Sequence, residues 1–329
     1  MDRIFLTILN MSTTVCFVIL AVLVVRALLK KAPKIFSYML WIVVLFRLIC
    51  PVSFESNFGI ILNNTPIQLD SEIAPRTEQT SMNKISGSST IANVEENELY
   101  KTEEPQIASV NKNTKSNNSQ LFKIAEFIWV GGIIILIGYS LSSLYQLKKT
   151  LRDAKQVDSH IYEKENLKTP FVLGVVKPNI YLPTGLLDEE KEYILAHEHM
   201  HINRKDHIVK LISFCVLIIH WMNPLVWLSF FLMTKDMEMS CDEAVLEKFG
   251  AGIKKEYSTS LLNMALEKRM ITGTPLAFRE GNVKERIRNI LQYKKLGKGL
   301  LLICAEIVLC AIVFFATNRT STTDNKIQI

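Results

Sequence analysis

Residues 196–205 read Ala196-His197-Glu198-His199-Met200-His201-Ile202-Asn203-Arg204-Lys205. Acidic Asp188, Glu189 and Glu190 lie upstream, so a helix is expected from Leu187 to Lys205. Residues four apart on a helix share a face, and the H-E-x-x-H spacing therefore sets His197 beside His201. Two imidazoles so placed can grip one Zn²⁺, and the neighbouring Glu198 can take a proton from an attacking water. His199 points away from this face.

A catalytic zinc site needs a third protein ligand and an open position. Downstream, Asp236-Met237-Glu238-Met239-Ser240-Cys241-Asp242-Glu243-Ala244 precedes a helical pattern and repeats the four-residue spacing. Glu238 can ligate zinc, while Asp242 can accept a hydrogen bond from a ligand imidazole and fix its tautomer. Cys241, one residue from Asp242, falls on another face and is expected as a small packed residue. His207 and His220 are expected to be structural.

Between the two halves of this site lie the apolar residues 208–233, interrupted by His220-Trp221-Met222-Asn223-Pro224. Each half is too short to span a bilayer alone. Lysines and arginines flank both sides of the segment, as at cytoplasmic boundaries. A full crossing would separate Glu238 from His197 by a membrane. The segment is therefore expected to fold back as a buried or re-entrant helical hairpin.

Upstream, Phe171-Val172-Leu173-Gly174-Val175-Val176 and Ile180-Tyr181-Leu182-Pro183 flank Lys177-Pro178-Asn179 and suggest two short strands. Such a pair can be simple packing. It can also offer Phe171, Val172, Leu173 and Gly174 as an edge for an extended substrate.

The rest of the chain reads as membrane anchor. The 329 residues are 49% hydrophobic with a mean hydropathy of +0.19, and the apolar residues come in long runs. Runs at 4–29, 36–54, 122–146 and 299–317 predict four transmembrane helices. Lys30, Lys31 and Lys34, then Lys148, Lys149, Arg152 and Lys155, then Lys294, Lys295 and Lys298 mark cytoplasmic ends. The expected organisation is two spans in 1–55, a weakly ordered polar external loop at 56–121 and a third span at 122–146. A cytoplasmic domain at 147–298, a fourth span at 299–317 and an external tail at 318–329 complete it. Arg47, Glu126 and Glu306 lie in or near the apolar runs, where ionisable groups are costly; Arg47 and Glu126 fall toward the outer side, where they can pair or equally snorkel to the interface. The formal charge of +6 is spent on these flanks, so no direct nucleic-acid contact is expected, and lipid is the expected surrounding. Five of six cysteines lie in apolar runs, which is no disulfide framework.

The motifs H-E-H-M-H with R-K-D-H, H-W-M-N-P-L-V-W, D-M-E-M-S-C-D-E-A-V-L, P-F-V-L-G-V-V-K-P-N-I-Y-L-P and F-R-E-G-N-V-K-E-R-I-R-N-I-L occur here together. In this combination the chain resembles the BlaR/MecR type of bacterial membrane metallopeptidase, from the first apolar run to the last. The resemblance implies a mainly α, polytopic membrane protein with a gluzincin-type peptidase domain carrying a small β-hairpin or sheet. It implies zinc on His197, His201 and Glu238, Glu198 as general base, and Asp242 behind a ligand. It further implies cleavage of a cytoplasmic repressor of the BlaI/MecI kind, and of the protease itself, after an outside signal. The penicillin-binding sensor domain of those proteins is not matched, since no S-x-x-K follows the last apolar run. Direct β-lactam sensing is not expected; a separate sensor partner or a second copy of the chain is. Two rival readings are a membrane quality-control protease of the HtpX kind and a non-proteolytic receptor with structural zinc.

Overall fold

A computed structural model describes residues 2–50, 54–56, 113–165, 167, 169–266 and 283–319. Contacts group residues 1–64 with 126–329, and residues 65–125 separately; the first group carries the site. Most of the expected polar loop at 56–121 and most of the terminal tail lie outside the described residues; the loop's last part, 113–121, is helical instead of weakly ordered.

The fold is mainly helical with a small mixed sheet. In chain order the elements are α1 (Asp2–Leu28), α2 (Lys34–Ile49), β1 (Phe54–Ser56), α3 (Asn113–Thr150), β2 (Lys155–Asp158), β3 (Ile161–Lys164), β4 (Phe171–Leu173), β5 (Asn179–Pro183), α4 (Asp188–Asn203), α5 (Asp206–Ile219), α6 (Pro224–Phe249), α7 (Lys254–Leu266), α8 (Val283–Gln292), α9 (Lys298–Ala316) and β6 (Thr317–Arg319). β1 and β6 form a short parallel pair.

The expected strand pair is present: β4 and β5 are antiparallel, with Phe171 opposite Tyr181 and Leu173 opposite Asn179. They belong to a four-stranded sheet of order β2-β3-β5-β4, in which β3 and β5 run parallel. β4 is thus an edge strand of that sheet. Gly174 ends it at φ +121°, and a Cβ there would run into the Lys177 carbonyl, so the turn itself dictates glycine.

The fold-back of 208–233 is also present, as α5, a turn at 220–223 and α6. Asn223 caps α6 by accepting from the Leu225 amide, and Pro224 follows where a helix tolerates it. α6 runs beyond the apolar segment and continues unbroken to Phe249. It joins two cores. Its first half packs Val226, Phe230, Met233 and Met237 among α1, α2, α5 and α9. Its second half packs Val245 and Leu246 among β5, α4, α7 and α8. The residues between the two cores are those of the third-ligand motif.

Two polar contacts set α6 alongside α1. Near one end, Asn223 donates to the Ser12 carbonyl and hydroxyl. Near the other, Arg26 holds Asp236 through two bonds of 2.6 and 2.8 Å. The intervals, 13 residues on α6 and 14 on α1, both correspond to about 20 Å of helix.

Among the described residues, two helical stretches, Arg3–Lys31 and Gln120–Thr150, are long and apolar enough to cross a membrane. α2 is 16 residues, about 24 Å, short of the roughly 30 Å hydrocarbon layer. Four crossings are therefore not established by helix length.

Candidate metal centre

α4 delivers His197, Glu198 and His201 to the interior, 3%, 1% and 7% exposed, while His199 faces out. α6 delivers Glu238 and Asp242, at 4% and 0%. The His197 and His201 Nε2 atoms lie 3.2 Å apart. Glu238 Oε2 lies 3.4 Å from the first and 3.8 Å from the second.

Both rings are turned by carboxylates behind them. His201 Nδ1 is 2.9 Å from Asp206 Oδ2, and His197 Nδ1 is 3.3 Å from Asp242 Oδ1. A ring that donates Nδ1–H to a carboxylate keeps its Nε2 lone pair. Two such lone pairs and a carboxylate oxygen then converge, as the donors of a cation site do. Ligand atoms at 2.0–2.2 Å from one tetrahedral zinc would be separated by about 3.3–3.6 Å. The three observed separations bracket that range, so the donor set fits zinc.

Residues that sequence reasoning missed complete the centre. α4 stops at Asn203, and Lys205 adopts φ 58°, a left-handed turn that swings the first residue of α5, Asp206, back against His201. Asp206 stood in the R-K-D-H motif, but nothing in its spacing announced that reversal. Tyr257 of α7 donates 2.8 Å to Asp242 Oδ1, and its oxygen lies 3.2 Å from His197 Nδ1. Arg286 of α8 grips Asp242 through bonds of 2.8 and 2.6 Å. Its guanidinium also comes within 3.4 Å of Glu238 Oε2 and of His197 Nε2. Cys241 packs fully buried behind the His201 ring, its Sγ 3.5 Å from Nδ1 and off the face where the Nε2 atoms meet. His220 bonds its own helix at the Val216 carbonyl.

Charge follows this packing. Burial works against the Asp242 anion, but the Arg286 guanidinium outweighs it and holds the carboxyl well below the usual range. Burial and Asp242 push the Tyr257 phenol up, which keeps it a neutral donor. Burial alone would lower the His201 pKa; Cys241, Glu238 and Asp206 together raise it well above the ordinary imidazole value. Burial also pushes the Cys241 thiol up and keeps it neutral, so we attribute the rise at His201 to the two carboxylates.

An open cavity reaches the centre, lined by His197, Glu198, Tyr257 and Arg286 on one side and Leu261, Met264 and Val283 on another. Thr169 and Pro170, immediately before β4, also line it. Phe171, Val172, Leu173 and Gly174 do not reach the described lining. Phe171 instead stacks on Tyr181, and β4 packs against α4.

The sequence matches the family described as BlaR1 peptidase M56 over residues 6–290. It is similar to the methicillin resistance mecR1 protein of Staphylococcus aureus, 23% identical over 322 residues, covering 89% of this chain and 52% of that protein. It is also similar to the regulatory protein BlaR1 of Bacillus licheniformis, 23% identical over 208 residues, covering 55% of this chain and 35% of that protein. The chain thus spans about half the length, or less, of these curated relatives.

Proposed function

This chain belongs to the BlaR1 peptidase M56 family, and from that premise we propose a membrane-embedded zinc endopeptidase that cuts a cytoplasmic protein. The observation that carries the reading is the convergence of His197 Nε2, His201 Nε2 and Glu238 Oε2 beside a cavity that Glu198 also lines. These three residues would hold Zn²⁺. When bound there, the ion supplies Lewis acidity and brings a water's pKa to near 7. Glu198 takes the proton of the attacking water and passes it to the departing amine nitrogen. Asp242 and Asp206 hold the two imidazoles in the tautomer that leaves Nε2 free. Arg286 and Tyr257 hold Asp242 in turn. A purely structural zinc site has no need of a base such as Glu198 on an open cavity.

The substrate would run extended along β4, pairing its backbone with the sheet edge at Phe171–Leu173, so that the bond to be cut passes Pro170 and enters the cavity. A repressor of the BlaI/MecI kind is the substrate we propose, from the resemblance to the BlaR/MecR type and from one relative's description as a regulatory protein.

The peptidase would sit at the cytoplasmic face, with 4–29, 36–54, 122–146 and 299–317 as spans. The hairpin of α5 and α6 would re-enter the bilayer. If α1 spans, Ser12 lies about 20 Å deeper than Arg26, and the turn at Asn223 lies at that depth. Irregular backbone inside lipid must be satisfied by protein. Here Trp129 donates to the Ile219 carbonyl, Trp221 to that of Trp129, and Trp227 to that of Trp221.

The test compares cytoplasmic protein fragments in cells carrying the wild type or Glu198→Gln. The expected result is one protein whose cleavage disappears while the purified variant still binds one zinc. Unchanged cleavage in the variant would sink the catalytic assignment.

A further inference from the structure

We propose that Tyr38, on α2, is a positioning residue for His201, acting through Asp206, so that grip on the metal depends on where α2 sits. The inference rests on the zinc reading above but concerns a residue outside the H-E-x-x-H helix and the Glu238 helix.

Asp206 is 1% exposed, and its carboxylate has two separate duties. Oδ2 faces His201 Nδ1 at 2.9 Å, while Oδ1 accepts from the Tyr38 hydroxyl at 3.0 Å. A carboxylate is free to turn about its Cβ–Cγ bond unless both oxygens are held. Arg204 Nε, at 3.5 Å from Oδ1, is a weaker restraint. The hydroxyl of Tyr38 therefore fixes the carboxylate plane, and that plane fixes the ring of His201. Tyr38 itself has little freedom, being 5% exposed with the Arg204 guanidinium stacked 4.9 Å over its ring.

Tyr38 is one of three contacts from a single helical face. Lys34, Tyr38 and Trp41 follow i, i+4, i+7 spacing on α2. The Lys34 amide donates to Glu243 at 2.7 Å, and Trp41 Nε1 to Asp236 at 2.9 Å. Asp236 and Glu243 bracket Glu238 on α6. The same face of α2 thus docks against the helix carrying one proposed ligand and, through Tyr38, reaches the carboxylate behind another. A shift of α2 along its axis would break the Tyr38–Asp206 bond without touching an atom that meets the metal.

The experiment measures zinc affinity of the purified full chain in detergent by competition with a chromophoric chelator, with melting of the metal-free protein alongside. Tyr38→Phe is expected to weaken zinc about tenfold, the lower end for residues behind a metal ligand. Trp41→Phe, on the same face but leading to Asp236, is expected to leave the affinity within about twofold. Adding Tyr38→Phe to Asp206→Asn should cost little more than Asp206→Asn alone, because the path is shared. Wild-type affinity in Tyr38→Phe, equal losses in both α2 variants, or additive losses in the double variant would overturn the proposal. Should Tyr38→Phe not fold, unchanged affinity in Asp206→Asn would overturn it as well. Failure of the zinc reading itself looks different: the wild type would then bind no zinc.

Discussion

The buried pair between Arg286 and Asp242 gives the sharpest quantitative prediction. Asp242 is 0% and Arg286 6% exposed, and two hydrogen bonds of 2.8 and 2.6 Å join them. Arg286→Gln would leave Asp242 with the Tyr257 hydroxyl and the His197 ring as partners, and its charge without compensation. Removing one member of such a pair costs about 3–5 kcal/mol, whereas replacing both by apolar groups can be nearly neutral. At about 2–4 °C per kcal/mol for a domain of this size, melting should fall by about 6–20 °C. Asp242→Leu combined with Arg286→Met should recover part of that loss, since the Asp242 charge is then gone and the guanidinium is missing only from its longer 3.4 Å contact with Glu238. The assay is thermal unfolding of the metal-free protein in detergent, followed by tryptophan fluorescence with chelator present. An Arg286→Gln protein melting within about 2 °C of wild type would refute the reasoning, as would a double variant no better than the single.

Two further outcomes are expected. Gly174→Ala should destabilise by about 1–3 kcal/mol, because its positive φ and the facing Lys177 carbonyl both exclude a side chain; chemical unfolding would show it, and a neutral effect would contradict the close approach of that carbonyl. Zinc binding should weaken as pH falls, because the carboxylates raise the His201 pKa and the ion must displace that proton. The sign follows from the raised value: protonation stabilises the metal-free fold below the ordinary imidazole pKa, and this contribution is lost as pH rises through the folded value. Chelator competition should therefore show zinc affinity climbing about tenfold per unit through neutral pH, and a flat profile would contradict it.

The shared faces of the candidate ligands could be read from the sequence because helix periodicity is a local property. His197 with His201, and Glu238 with Asp242, share a face at four-residue spacing whatever surrounds them. The turn between α5 and α6 falls at the interruption 220–224 from which a hairpin was expected, together with the short apolar halves and the basic flanks. Asp206, Tyr257, Arg286 and Tyr38 were not legible, because each reaches the centre by a turn or a helix packing that no local pattern encodes. The left-handed Lys205 is the clearest case: a lysine carries no hint of positive φ. Strands β2 and β3 were missed for a different reason, as their side chains lie uniformly exposed or half-buried and so lack a period of two. That one helix joins the apolar segment to the Glu238 motif was not read from the sequence, because the apolar run ends where the second core takes over.

The most direct test of the account is the zinc content and affinity of the purified chain with and without Glu238. The account predicts one tightly bound zinc per wild-type polypeptide, and in Glu238→Ala a loss of affinity of at least 100-fold, with His197→Ala and His201→Ala behaving alike. Wild-type zinc binding in Glu238→Ala would contradict it, for then α6 would not complete the site that α4 begins.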